Sequence, residues 1–250
     1  MVCKLCGEDA PLIKAHVVPE AFFRKMSSPG DRPVSFPLRS GEHPKRRPVG
    51  IYDPALVCAA CEALFGPWDQ YGFEFFYRPI EQFQLLEGTY AKGLLLTHDV
   101  NYAKLKLFVL SVLWRAHSTT AEEFKGVDVG PYEPALRNLI LQADPGQKQD
   151  FPVMLTRYTD RPGDMFTSPY RTRVDGVFRH LFHFGGHDVS VFVGKGRPEQ
   201  LLYDHVILAP DTPLIMLVAS IVDGPKTDQL RRALLESERL RADRQANRDR

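Results

Sequence analysis

All four cysteines of the chain stand in two CxxC pairs, Cys3–Cys6 in CKLCGED and Cys58–Cys61 in LVCAACEALFG. A redox CxxC is ordinarily single and lies near a βαβ pattern, whereas two pairs supply four thiolates for one tetrahedral zinc ion. The pattern therefore predicts structural Zn²⁺ at Cys3, Cys6, Cys58 and Cys61. Gly7, directly after Cys6, lets the backbone turn back toward the metal. Cys58 and Cys61 lead into EALF, which reads as the first turn of a helix. A closed four-cysteine site has no open coordination position, so the pairs alone are equally consistent with a staple that carries no chemistry.

Composition bounds the rest. The chain has 250 residues, with 32 Lys and Arg against 31 Asp and Glu. It is long enough to bury a substantial core, and no whole-molecule field favours a nucleic acid or a membrane, so a basic surface has to be local. Its most apolar run, LKLFVLSVLW, is too short and too interrupted by Lys104, Lys106 and Arg115 to span a bilayer. A cytoplasmic location is the expectation, in keeping with thiols kept for metal.

Between the pairs, LIKAHVVP is rich in β-branched residues and predicts a strand over 12–18 closed by Pro19, with His16 near its end. A knuckle, a β segment and a ligand pair at a helix N-terminus together describe a treble clef. Over residues 3–62 the chain resembles the zinc-containing HNH endonucleases, whose ββα-metal module carries a (D/H)H-I/V-x-P strand, then an Asn, then a CxxC followed by a His. The resemblance implies a general base at His16 of AHVVP, with Asp53 of YDPALVC at the Asn position and Glu62 at the final His. The residue before the base, usually Asp or His, is here Ala15. Asp53 and Glu62 are hard oxygen donors suited to Mg²⁺ or Mn²⁺. With Asp69 they form the expected set around a catalytic divalent ion, while His16 deprotonates water.

Each residue also has a plainer reading. His16, beside Val17 and Val18, suits a histidine hydrogen-bonded near the knuckle. Asp53 before Pro54 suits a turn, and Glu62 suits the positive end of a helix dipole. Asp69 suits the cap of a helix restarting after Gly66-Pro67. The loop after the strand carries Arg24, Lys25, Arg32, Arg39, His43, Lys45, Arg46 and Arg47. Of these, Arg39, Lys45, Arg46 and Arg47 are the expected nucleic-acid contacts, gripping phosphates without reading sequence. Trp68, Tyr71, Phe73, Phe75, Phe76 and Tyr77 are expected to pack the module onto the remainder.

The fold expected is α+β: a zinc-binding HNH-like module over 1–92, then a mixed helical and antiparallel β domain over 93–250. Residues 102–117 predict a buried helix and 131–143 a second one before the breaker DPG; strands are expected near 151–158, 174–184, 187–194 and 213–219. Gly185-Gly186 predicts a hairpin turn. His180, His183 and His187 read as imidazoles on a surface strand. Residues 225–247 read as an amphipathic, Arg-rich helix that docks on the domain or on a partner protein. The function expected is metal-dependent hydrolysis of nucleic-acid phosphodiester bonds, with DNA as substrate. The alternative is a catalytically inactive zinc module that binds nucleic acid or a partner protein.

Overall fold

The computed structural model describes residues 1–26, 34–35, 45–46, 50–86, 93–159, 166–194, 196 and 201–220. The basic residues Arg39 and Arg47 and the helix expected over 225–247 lie outside them. Lys45 and Arg46 are described only as a short strand paired with Val34–Ser35.

The chain opens with the CxxC turn. Its first ladder pairs β1 (Ala15–His16) with β4 (Tyr52–Asp53), the intervening segment containing α1 (Glu20–Met26), β2 (Val34–Ser35) and β3 (Lys45–Arg46). The strand expected over 12–18 thus shrinks to two residues. Leu12 makes a separate bridge to Cys58, and Pro19 opens a helix rather than a loop.

Helix α2 (Ala59–Phe76) follows, running unbroken through Pro67. The expected restart at Gly66-Pro67 does not occur. Pro67 removes the N–H that would bond the Ala63 carbonyl, and because both residues are solvent-exposed, the loss falls on the side of the helix open to solvent.

A seven-stranded sheet forms the largest element. It contains β5 (Gln84–Leu86), β6 (Leu94–Thr97), β7 (Val153–Tyr158), β8 (Thr167–Val174), β9 (Val177–Phe184), β10 (His187–Phe192) and β11 (Leu214–Ala219). Their order is β5-β6-β11-β7-β10-β9-β8, antiparallel throughout except between β11 and β7. The β9–β10 hairpin turns on Gly185-Gly186 as the sequence predicts. The segment expected as one strand over 174–184 instead turns at Asp175-Gly176, so that Val174 ends β8 and Val177 begins β9.

Helix α3 (Tyr102–Ser118) sits between the sheet and α2, with every residue from Leu105 to Ala116 buried. Asn101 caps its start by accepting from the Lys104 N–H. Helix α4 (Glu133–Leu141) packs beside it, and a short α5 (Leu201–Val206) leads into β11. Phe76 of α2 meets Phe184 of β9 at 4.3 Å between ring centroids, and Phe108 of α3 lies 5.5 Å from the same ring. These contacts give the aromatic run of α2 the packing role expected of it. The larger of two core clusters runs from Cys3 to Val218, and a smaller one gathers Met154, Val177, Phe192 and Val206.

The three imidazoles of the hairpin are buried, contrary to the surface reading. His187 accepts burial by pairing with the Gly185 carbonyl, and His183 bonds Asp188 at 3.0 Å. His180 bonds the Asp128 carbonyl at 3.0 Å. Partnered imidazoles can enter a core that an isolated one would avoid. Among the described residues, no helix is long and apolar enough to cross a membrane.

Candidate metal centre

The sulfurs of Cys3, Cys6, Cys58 and Cys61 all lie within 4.8 Å of one another, and none is in a disulfide. A tetrahedral zinc ion with Zn–S near 2.3 Å needs sulfurs about 3.8 Å apart, so this donor set fits that ion after small adjustments. Local backbone geometry gathers it. The Gly7 N–H donates to the Cys3 carbonyl at 2.8 Å with Gly7 at φ +81°, a conformation glycine adopts without strain. Leu12 and Ile13 then lie against Cys58 and Val57, bringing the second pair alongside the first.

Cys58 is the N-cap of α2, and its N–H donates to the Cys3 sulfur at 3.4 Å. Burial opposes ionisation of Cys3, but donors on the backbones of Cys6, Cys58 and Leu5 outweigh it and lower its pKa to about 6. Burial and the neighbouring thiols push Cys61 the other way, far above the ordinary thiol value. Four thiols this close cannot all ionise without a cation among them, which is the charge balance that a divalent metal provides.

The knuckle is bolted to the rest of the fold by cations. Lys4 Nζ donates to the Ser118 carbonyl at the C-terminal end of α3, and Arg137 of α4 donates to the Leu5 carbonyl at 3.1 Å.

Of the residues expected beside this centre, the fold brings His16, Glu62 and Asp69 together and turns Asp53 away. His16 is partly exposed and pairs across the ribbon with Tyr52, their rings 6.3 Å apart. The His16 backbone N–H donates to the Glu62 carboxylate. Glu62 Oε2 is buried with no hydrogen-bond partner. Burial raises the Glu62 pKa against the attraction of Arg115.

Asp69 is held in a two-pronged ion pair by Arg115, at 2.7 and 3.0 Å, instead of capping a helix. The same guanidinium donates to the His16 carbonyl at 3.1 Å. Arg115 is fully buried, also bonds Ser111, and lies over the Phe65 ring.

Asp53 differs most from its expected role. Strand alternation places it opposite Ala15 on the buried face, away from His16. Its carboxylate accepts from the Ala55 and Thr120 N–H groups and from the Thr119 and Thr120 hydroxyls at 2.7 to 3.0 Å. Burial resists its charge, but these donors prevail and hold the carboxyl below its ordinary pKa. With its lone pairs so engaged, Asp53 is an anchor for the turn after α3.

Arg115 is the residue missed by reading α3 as plain scaffold. The signal was present: a cation inside LKLFVLSVLWRAH has to find a buried partner. Comparison of the chain with protein-family models, with curated proteins and with solved structures found no match in any of the three.

Proposed function

We propose that the chain is a zinc-stabilised, HNH-like endonuclease that hydrolyses nucleic-acid phosphodiester bonds, reduced to a site built on His16 and Glu62. The observation that carries this reading is the meeting of the two beside the four-cysteine cluster, with one Glu62 oxygen buried and unpartnered. Zinc held by the cysteines is the scaffold of a treble-clef module. His16 accepts the proton of the attacking water. Arg115 and Asp69 fix the His16 backbone from behind, and Glu62 fixes it from the side.

The unpartnered Glu62 oxygen fits a hard cation that takes few protein ligands and completes its shell with water and substrate phosphate. Mg²⁺ or Mn²⁺ held there by Glu62 would neutralise charge on the scissile phosphate. Asp53 has no part in it.

Supercoiled plasmid incubated with purified protein and Mn²⁺ tests the proposal. Nicking by the wild type that falls by about 100-fold or more in His16→Ala and in Glu62→Gln is the expected result. Equal DNA retardation by all three proteins, without nicking, would overturn it in favour of a second reading, a non-catalytic zinc module that binds nucleic acid. What favours that reading is the engagement of Asp53 and Asp69 in internal bonds, together with Ala15 in place of a ligand.

A further inference from the structure

The β8–β9 hairpin carries a charge arrangement that the fold alone does not require. Arg171 and Arg173 are exposed, on alternate residues of the outermost strand of the sheet. Their guanidinium carbons lie 3.7 and 4.0 Å from the centroid of the half-buried Phe178 ring. Two guanidinium groups this close to one centroid would overlap on a single face, so they clasp the ring from both sides. Such stacking fixes two planar forks and leaves their N–H donors pointing outward.

Neither arginine forms an ion pair with a described residue, and Asp175 in the adjoining turn pairs with neither. Two like charges separated by one ring, with no anion paired to them among the described residues, form a receptor for an anion with more than one negative group.

Position ties this receptor to the proposed site. Arg171 pairs with His180 and Arg173 with Phe178, on the face of β9 that presents Phe182 and Phe184 to the core. Helix α3 packs on β8 from that side. An open cleft lined by Gly50, Ile51, Tyr52, Thr120, Ala121, Glu122 and Glu123 meets the His16 ribbon at Tyr52 and approaches β8 at Ser168. Tyr52 is the cross-strand partner of His16, and the Glu123 carbonyl accepts from Ser168 in β8.

We infer that Arg171 and Arg173, braced by Phe178, bind the phosphodiester backbone of a nucleic acid whose chain extends from the His16–Glu62 site. The choice of nucleic acid among polyanions rests on the function proposed above. The binding itself requires no cleavage.

Fluorescence anisotropy of labelled duplex and single-stranded oligonucleotides, without added divalent ion and over a range of salt, tests it on the full-length zinc-loaded chain. For Arg171→Gln/Arg173→Gln, affinity at low salt should fall about tenfold or more. The slope of log affinity against log salt should become shallower by about 1.8 for duplex DNA, two phosphates at about 0.9 each. The charge-preserving pair Arg171→Lys/Arg173→Lys should keep the wild-type slope. An unchanged slope in the glutamine pair would overturn the inference, as would the absence of oligonucleotide binding by the wild type. So would a loss confined to heparin or to anionic vesicles. Wild-type protein that binds through these arginines yet never nicks plasmid would uphold the patch while removing the nuclease reading.

Discussion

Asp53, Lys106 and Arg115 are single residues whose burial decides their role. Asp53→Ala leaves the Thr120 and Ala55 N–H groups without an acceptor, and we predict a loss of about 3 kcal/mol in urea unfolding, with zinc content unchanged. The Asp53 pKa is lowered from 3.8 by folding, so its contribution is present above that value and is lost as pH falls through the folded pKa. Wild type and variant should therefore converge in acid. Lys106 is a buried cation whose charge folding disfavours. Its fully buried amine, bonded to the Tyr102 hydroxyl and the Gln147 carbonyl, has a pKa lowered by burial from 10.5 to about 8. Between those values the unfolded chain binds more protons, so stability should rise with pH across the window, by up to roughly 3 kcal/mol from this group. Lys106→Met should remove that rise, as urea unfolding at about pH 7 and about pH 10 would reveal.

At the level of elements, the contact between α2 and α3 places the site. A Cβ on Gly72 would lie 2.4 Å from the Phe108 ring, so the helices meet closely only because that position is bare. Gly72→Ala should cost about 1 to 3 kcal/mol by overpacking, read as a lowered thermal midpoint. Nicking should fall with it if α3 holds His16 through Arg115. The residues that revealed most in the sequence were those under local rules. The paired cysteines, Gly7, the apolar run of α3 and Gly185-Gly186 each impose a geometry on their own neighbours. Less legible were β5, β6 and β8, whose residues carry no strong alternation of their own; β5 joins the sheet through β6 and β8 through β9. The site divides in the same way. The nearness of His16 to Glu62 could be read because each lies near a cysteine pair or its strand. The loss of Asp53 and Asp69 to internal bonds could not be seen, since Thr119, Thr120 and Arg115 reach them from far along the chain.

Across the whole molecule, the cysteine cluster and the sheet share one core, joined through Lys4 at the end of α3 and Arg137 at Leu5. Removing the metal should therefore loosen more than the knuckle. We predict that a strong chelator releases zinc and abolishes the cooperative unfolding of the first sixty or so residues, with exposed aromatic surface detected by dye binding. The account rests on one ion held by four sulfurs, because such an ion would clamp the Cys3–Cys6 turn to the start of α2, beside the His16 ribbon. X-ray absorption at the zinc edge of the purified chain tests it most directly. Four sulfur neighbours at about 2.3 Å, with one zinc per chain, are the predicted result. A shell containing nitrogen or oxygen, or a chain that binds no zinc and links its cysteines as disulfides, would contradict it.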